Sequence, residues 1–196
     1  MLKKILLLGV FAMLSFNTNA SEVKKLPEPD KTSDIMELFE NRKSSREYGE
    51  ENLSLQTLSD VLWSAFGVNQ RGTRTIPTAR NEQNLKVYVV YDKAIWSYDA
   101  NTNELIKVND ENVEQYIAKQ EFVKDAPVNL IYTGSDKDYS YFHAGAAAQN
   151  VHLYAASKGL NTIVRGYIDK DELKNKLHLK MDEFVIINQV IGYPKG

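Results

Sequence analysis

Residues 85–108 read LKVYVVYDKAIWSYDANTNELIKV and carry the clearest structural signal in the chain. β-branched and aromatic residues fill positions 85–91, and two shorter runs of similar composition follow at 95–98 and 105–108. Asp, Lys, Asn and Thr residues, which are common in turns, separate the three runs. The pattern therefore predicts three consecutive strands that pair as an antiparallel meander.

Two helices are predicted upstream of this meander. The first begins after Ser33 and ends near Arg42, and acidic residues in its first turn favour that start. The second begins after Ser54 and ends before Gly67, with apolar residues at helical spacing. These residues are Leu55, Leu58, Val61, Leu62, Ala65 and Phe66. They form one broad apolar stripe along the helix.

Helices and strands alternate downstream of the meander. The predicted helices span 111–123, 141–158 and 169–177, and the predicted strands span 128–132, 162–168 and 184–191. Gly159 is the stop signal of the longest helix, and the small residues at 144–148 would let another backbone pack closely against it. The mixture indicates an α+β or mixed α/β fold in one domain, residues 33–196. The strands alone do not fix their order in the sheet.

The composition excludes several classes of protein. The chain has 196 residues, of which 43% are hydrophobic and 26% charged, as in a globular domain. Because 24 Lys and Arg face 26 Asp and Glu, neither nucleic acid nor an anionic membrane surface is expected as the main partner. The chain contains no cysteine, which excludes disulfides, a thiolate nucleophile and an iron–sulfur cluster.

The first 20 residues have the pattern of a secretory signal peptide. Lys3 and Lys4 precede an apolar run over 5–16, which is too short to cross a bilayer, and small and polar residues lead to Ala20. We expect cleavage after Ala20 and an extended polar leader over 21–32. The mature protein is then expected in the periplasm or outside the cell, with no stable membrane anchor. The alternative is that the segment is retained as an anchor.

Common catalytic motifs are missing. The chain contains no Gly-rich phosphate loop, no zinc-protease motif and no nucleophile elbow. His143 and His152 are nine residues apart, which does not suit two metal ligands on one helix, so no metal site is expected. Asp136 and Asp138 could pair as acid and base, but the residues around them are typical of a solvated loop. We therefore assign no catalytic residue from the sequence.

Two polar segments indicate a binding site instead. Residues 42–46, Arg-Lys-Ser-Ser-Arg, follow the first helix, and cations with hydroxyls can hold a phosphate through charge-assisted hydrogen bonds. The same cations would also suit a solvated helix end, where positive charge is favoured. Residues 77–83, Pro-Thr-Ala-Arg-Asn-Glu-Gln, are too polar for a core and too long for a tight turn. Their position directly before a strand favours the binding interpretation.

These segments resemble the FMN-dependent nitroreductase family, in particular its short branch similar to azoline dehydrogenases. Residues 42–46 look like the family's Arg-Arg/His-Ser-x-Arg/Lys motif, and residues 77–83 resemble its Pro-Ser-x-x-Asn-x-Gln segment. Residues 58–67, 144–160 and 192–194 resemble, in order, the helix between the motifs, the long interface helix and the end of the last core strand. The resemblance covers residues 33–196 and implies a nitroreductase-like fold, with a mainly antiparallel central sheet flanked by helices.

The resemblance assigns FMN contacts to individual residues. The candidates are Arg42, Lys43, Ser44, Arg46, Pro77, Thr78, Asn81, Gln120, Arg165, Gly166 and Lys195. Of these, Arg42, Ser44 and Arg46 would bind the phosphate, ribityl or ring oxygens. The basic phosphate ligands that longer relatives carry after the last strand are absent. Lys195 is therefore the late cation expected in that role.

The remaining assignments concern the flavin ring. Gln120 resembles a position at the pyrimidine edge, and Arg165 and Gly166 take the place where the family presents backbone N–H groups to flavin N5. Thr78 and Asn81 would reach the ring from a second subunit. The resemblance thus implies a homodimer with one flavin per subunit between the chains. The alternative is that the small residues of the long helix pack only against this chain's own sheet.

The implied function is an FMN-dependent oxidoreductase that works outside the cytoplasm. It would pass hydride or electrons through the flavin to or from a small conjugated substrate such as a nitro compound or a quinone. No side chain needs to be an acid, base or nucleophile, because the flavin carries the redox chemistry. Two alternatives stay open: a dimeric flavin- or ligand-binding protein without turnover, and an azoline-type dehydrogenase acting on a peptide. The electron donor is also open, because NAD(P)H is not expected outside the cytoplasm.

Overall fold

In the computed structural model, which describes residues 24–196, the meander forms as the sequence predicts. Its strands are β1 (Lys86–Tyr91), β2 (Ala94–Asp99) and β3 (Glu104–Asn109), paired as antiparallel neighbours. The turn between β1 and β2 holds two residues with positive φ, Asp92 at 48° and Lys93 at 59°. Two such residues make a type I′ turn, whose twist matches that of the flanking strands. The turn therefore sets the register of β1 against β2.

Three further strands complete the sheet, and five α-helices accompany it in the described part of the chain. The strands are β4 (Val128–Gly134), β5 (Asn161–Arg165) and β6 (Phe184–Gly192). The helices are α1 (Asp34–Asn41), α2 (Leu55–Phe66), α3 (Glu114–Ile117), α4 (Ser140–Lys158) and α5 (Lys170–Lys176). The strand order is β3-β2-β1-β4-β6-β5, and every neighbouring pair is antiparallel. The predicted α+β class with an antiparallel sheet flanked by helices is confirmed.

The sheet separates two main apolar cores. Successive side chains of a strand point to opposite faces, so Val87 and Val89 join one core and Tyr88 joins the other. α2 and α4 cover the first face, and α3 and α5 cover the second. The predicted stripe of α2 is buried except for Leu55, the first residue of the helix, which is 70% exposed.

Two predicted elements are shorter than the sequence suggests. The helix predicted over 111–123 is reduced to α3 and a 3-10 turn, Glu121–Val123. The carbonyl of Ile117, which would continue α3, accepts a hydrogen bond of 3.0 Å from the Arg165 side chain instead. The strand predicted over 162–168 ends at Arg165, and the Ile168 N–H then turns back to the Gly166 carbonyl. The end of α3 and the end of β5 therefore both depend on contacts at or next to Arg165.

α4 packs mainly within its own chain. Gly159 ends the helix with a φ of 64°, a left-handed conformation that glycine adopts without strain. Ala144, Ala147 and Ala148 are buried in the core with α2 and the sheet. These small residues therefore do not by themselves require a second chain. Gly145 is exposed, and nothing lies within 4 Å of the position that a Cβ there would take.

Residues 24–31 form neither helix nor strand, and they belong to a unit separate from Thr32–Gly196. The predicted signal peptide over residues 1–20 and its cleavage site lie outside the described residues. Within residues 24–196, no helix is long and apolar enough to span a bilayer.

Candidate functional site

The cationic segment 42–46 is fastened to the edge of the sheet. It follows α1 in the chain and lies against β5, which is an edge strand of the sheet. The Ser45 N–H donates to the Thr162 carbonyl at 3.0 Å, and the Tyr48 hydroxyl donates to the Ser45 carbonyl at 2.8 Å. Asn161 Nδ2 donates to the Glu47 carbonyl at 2.7 Å. These bonds from β5 and Tyr48 give the segment a defined position.

Arg165, at the end of β5, is a buried cation among neutral acceptors. Its side chain donates to Gln120 Oε1, the Ile117 carbonyl and Asn188 Oδ1 at 3.0 Å each, and to the Tyr167 carbonyl at 3.2 Å. Burial lowers the pKa of Arg165, but a guanidinium stays protonated in proteins. The site therefore contains a permanent positive charge that none of these acceptors neutralises.

Several predicted residues meet at this end of β5. Gln120 and Arg165 are in direct contact, and the exposed Gly166 follows Arg165 in the chain. Burial raises the pKa of the Tyr48 phenol, while the charges of Arg165 and Arg46 oppose that rise. Both arginines therefore lie near Tyr48. Three of the predicted ring contacts and one residue of the cationic motif share one region.

Lys43 lines a small cavity at the C-terminal half of α4. The cavity has a volume of about 170 Å³. Its lining residues are Asn41, Lys43, His152, Ala155, Ala156, Gly159, Leu160, Asn161 and Pro194. Arg42 lies near enough for its charge to lower the pKa of His152. Lys195, which follows Pro194, is exposed beside this region.

The second predicted segment, residues 77–83, lies at the opposite end of α4. The Asn81 N–H donates to the Thr78 carbonyl at 3.1 Å, and Pro77 and Asn81 are exposed. Among the described residues, the remaining hydrogen bonds of the segment are made with Arg74, with Asn84, with Asp136, with α4 and within the segment. The structure therefore does not bring Thr78 or Asn81 to residues 42–46 within one chain.

His143 anchors that segment, a role that sequence reasoning missed. Its Nε2 accepts from the Ala79 N–H at 2.8 Å, and its Nδ1 lies 3.1 Å from Asn84 Oδ1. Because Nε2 accepts, Nδ1 must carry the proton and donate to Asn84. Burial lowers the pKa of His143, which favours this neutral form. The bond to Ala79 spans 64 residues of sequence, so no local pattern could have indicated it.

A larger cavity lies elsewhere, and none of the predicted site residues lines it. It has a volume of about 450 Å³ and adjoins α3 on the second face of the sheet, where Val113, Ile117 and Asn129 are among its lining residues. Volume alone therefore does not locate the site. The charged groups and the open backbone at β5 make that region the candidate site.

Comparisons with known proteins agree with one another. The profile of the nitroreductase family matches residues 39–193. A protein of Methanocaldococcus jannaschii named as a nitroreductase is 31% identical over 173 residues, which is 77% of this chain and 86% of that protein. A crystal structure named as a nitroreductase from Ralstonia eutropha has a TM-score of 0.77 and 33% identity, covering 87% of this chain and 89% of that one.

A third likeness concerns the fold alone. A chain of the E. coli microcin synthetase McbBCD complex has a TM-score of 0.68 at 17% identity, covering 99% of this chain and 79% of that one. The shared fold leaves open which reaction the chain at hand performs.

Proposed function

The chain belongs to the nitroreductase family, whose profile covers residues 39–193, and on that premise we propose that it is an FMN-dependent oxidoreductase. It passes hydride or electrons through the flavin to or from a small conjugated substrate such as a nitro compound or a quinone. One observation carries the proposal. The cationic segment 42–46 is held against β5, which ends at the buried Arg165 and the exposed Gly166.

The residues along β5 fit FMN in charge and in shape. FMN ends in an anionic phosphate, and Arg42, Lys43 and Arg46 supply three cations within five residues. At the other end, an added Cβ on Gly166 would have no heavy atom within 4 Å. The backbone there is open to a flat ring. The Ser44 hydroxyl adds a neutral donor between the cations.

Bound FMN would supply the redox chemistry. The chain's own residues supply placement and charge. Arg165 holds a permanent positive charge beside Gly166, which favours negative charge on a bound ring. Arg165 also fixes the side-chain amide of Gln120, so that this amide has one orientation before a ligand arrives. The described residues need no acid, base or nucleophile for this role.

The presence and use of flavin can be tested on purified protein. We expect a visible flavin spectrum that is bleached by dithionite and recovers when a quinone or nitro compound is added. A flavin spectrum without recovery would favour the alternative of a binding protein without turnover. Turnover only with an azoline-containing peptide would favour the dehydrogenase alternative. Absence of flavin after reconstitution with FMN would contradict the proposal.

Replacing Arg42 tests the cationic segment directly. Arg42→Ala should weaken FMN about 30- to 150-fold, because one charge-assisted contact is lost. Arg71→Ala is the control, since Arg71 is an exposed arginine in a turn far along the chain from this segment. Equal FMN affinity in wild type and Arg42→Ala would overturn the assignment.

We further propose a homodimer in which Thr78 and Asn81 reach the flavin of the partner chain. Their segment is held at His143, whereas residues 42–46 lie near His152. Nine residues of helix correspond to a rise of roughly 13 Å, so one chain alone keeps the two segments apart. Exposed apolar and aromatic side chains on α1 and α4 support an additional contact. They are Ile35, Phe39, Tyr141 and Phe142.

Gly145 offers a test of the dimer that spares the core. Because this position is exposed and open, an arginine side chain fits the single chain there. We expect a wild-type dimer in light scattering, and Gly145→Arg should shift it to monomer with loss of flavin. Gly145→Ala is the control and should stay dimeric. A wild-type monomer that binds one FMN would contradict any contribution from a second chain.

We also propose that residues 1–20 are a signal peptide and that the mature protein works in the periplasm or outside the cell. The charged, apolar and small residues of this segment support the proposal. N-terminal sequencing of protein from a periplasmic extract should begin at Ser21. Full-length protein confined to the cytosol would contradict it.

A further inference from the structure

The cavity beside α3 has the size and the lining of a small-molecule site. Its volume of about 450 Å³ lies within the roughly 300–1,000 Å³ that such sites occupy. Val90 of β1 and Asn129 of β4, which are partners across the two strands, line it from the sheet. Val113, Ile117 and Val123, in and around α3, add apolar surface. Of the described residues that line the cavity, Asn129 alone is both polar and buried.

A chain of hydrogen bonds fixes the orientation of the Asn129 amide. A guanidinium only donates, so the Asn188 atom that takes the 3.0 Å bond from Arg165 must be Oδ1. Asn188 Nδ2 then donates to the Leu130 carbonyl at 2.9 Å and to the Asn129 side chain at 3.3 Å. The Asn129 atom that accepts this bond must be Oδ1. The Asn129 Nδ2 donor is therefore the end of the amide that Asn188 does not engage.

This second end of the amide is an accessible donor without a partner. Asn129 is 5% exposed, and its Nδ2 makes no hydrogen bond to any described residue. In the described chain, the unpartnered polar side-chain atoms that lack accessible surface belong to Arg74, Thr75, Thr133 and His152. Asn129 Nδ2 is not among them, so it keeps accessible surface, and the residue lines the cavity. A ligand atom that accepts a hydrogen bond there would satisfy the donor.

The charged residues around the cavity indicate the charge of the ligand. Four acidic residues and two lysines line it, namely Asp92, Asp110, Glu111, Glu114, Lys93 and Lys124. Ion pairs with residues outside the lining engage Asp110, Glu111 and Lys124. The exposed carboxylates of Asp92 and Glu114 then outnumber the ammonium group of Lys93. This excess of negative charge favours a neutral or cationic ligand over an anionic one.

We propose that this cavity binds a neutral or cationic organic molecule that has an apolar body and a carbonyl oxygen. The oxygen accepts a hydrogen bond from Asn129 Nδ2, and the body packs against Val90 and Ile117. None of the residues assigned to FMN lines the cavity, so this is a second site. The inference does not rest on the function proposed above, because none of its observations involves a flavin.

The experiment uses a series of probes that share a benzene ring. Acetophenone carries a carbonyl group, and ethylbenzene has nearly the same shape without the acceptor. Two further acetophenones carry a trimethylammonium or a carboxylate group in the para position and report the preferred charge. Binding to the purified full chain is followed by proton–nitrogen NMR, in which the side-chain amide signals of Asn129 report the proposed hydrogen bond directly.

Three variants complete the design. Asn129→Leu removes the donor, and Asn188 keeps its bond to the Leu130 carbonyl in that variant. Ala118→Phe fills part of the cavity and leaves the Asn129 amide in place, because Ala118 is another lining residue. Asn175→Leu is the matched control, since Asn175 is an exposed asparagine on α5 that does not line the cavity. Circular dichroism establishes that each variant is folded.

We expect wild type and Asn175→Leu to bind acetophenone about 3- to 10-fold more tightly than ethylbenzene, the ratio that one net hydrogen bond gives. Acetophenone should also shift the Asn129 amide signals of wild type. In Asn129→Leu the two probes should bind equally, and Ala118→Phe should weaken both. The cationic acetophenone should bind more tightly than the anionic one.

Two results would overturn the site. One is the same preference for acetophenone in wild type and Asn129→Leu, and the other is a set of NMR shifts confined to residues 42–46 and Gly166. A chain that binds FMN but none of the probes would also refute this site and leave the proposed function intact. A chain that binds no FMN but shows the expected preference would uphold the site and refute the cofactor.

Discussion

The two ends of α4 each hold a buried histidine, and the two rings differ in their hydrogen bonding. At the N-terminal end, both ring nitrogens of His143 have partners, in Ala79 and Asn84. At the C-terminal end, His152 contacts the Lys43 backbone through one side of its ring and leaves Nδ1 without a partner. His143 therefore fastens a loop to the fold through both ring nitrogens, whereas the Nδ1 of His152 adds no hydrogen bond to the structure.

The most direct test of this difference is to remove the ring of each histidine in turn. His143→Leu should lower the free energy of unfolding by about 1–3 kcal/mol, because the Ala79 N–H and Asn84 lose their partner. His152→Leu should lower it less, since removal of the unpaired Nδ1 offsets the loss of the contact with the Lys43 backbone. Urea unfolding of ligand-free protein measures both. Equal losses in the two variants would mean that His152 also has a structural role.

Digestion with trypsin tests the same difference at the segment that His143 anchors. Arg80 is exposed within the segment that His143 anchors. Cleavage after Arg80 should be faster in His143→Leu than in wild type, because the anchor is gone. In His152→Leu it should be unchanged. Unchanged cleavage in His143→Leu would show that the segment is held by its other contacts.

Lowering the pH tests both histidines through a smaller expected effect on stability. The pKa of each histidine is lowered in the folded state, so folding favours the neutral rings. Their contribution to stability is complete above the unfolded-state pKa near 6.5 and is lost as the pH falls from there toward the folded-state values. Each histidine adds a slope of up to about 1.4 kcal/mol per pH unit in that window.

The measurement is urea unfolding at a series of pH values from 7.5 to about 5 in wild type and the two leucine variants. Both variants should lose less stability on acidification than wild type. Parallel curves for all three proteins would contradict the lowered pKa values.

Two glycines of the helix region give the smallest expected effects. Gly159→Ala should destabilise the protein by about 1 kcal/mol, because its φ of 64° is strained for alanine. Gly145→Ala should stabilise the protein by about 0.5–1 kcal/mol, because Gly145 lies inside the helix and the added Cβ meets nothing. Thermal unfolding of the pair checks the signs. Two changes of the same sign would contradict the backbone conformations described.

Local signals in the sequence were sufficient for most of the fold. Ser54 accepts the hydrogen bond of Thr57 as an N-cap should, and Gly159 ends α4 in the left-handed conformation. Each cap acts within one turn of its helix, so the local sequence is sufficient to predict it. The helix predicted over 111–123 was wrong in length, because the side chain of Arg165, 48 residues away, takes the Ile117 carbonyl. No local pattern contains that contact.

Less of the candidate site than of the fold could be predicted from the sequence. The motif at 42–46 and the pair Arg165 and Gly166 could be proposed from resemblance, because they are short and contiguous. The role of His143 could not, since its hydrogen bonds to Ala79 and Asn84 join residues about 60 positions apart in the sequence. The small residues of α4 were assigned to a dimer interface from their composition and from resemblance, and neither tells a contact with α2 from a contact with a second chain.

The place of β6 in the sheet has a consequence for synthesis on the ribosome. β6 follows all other described strands in the chain, yet it lies between β4 and β5 and pairs with both. A nascent chain that has emerged only as far as α5 therefore has β4 and β5 without the strand that joins them. The pairing partners Val128 and Ile191 are far apart in sequence, and such non-local pairs form slowly. We expect the sheet to close only after translation has passed residue 192, so the chain stays without its complete sheet throughout synthesis of the preceding residues.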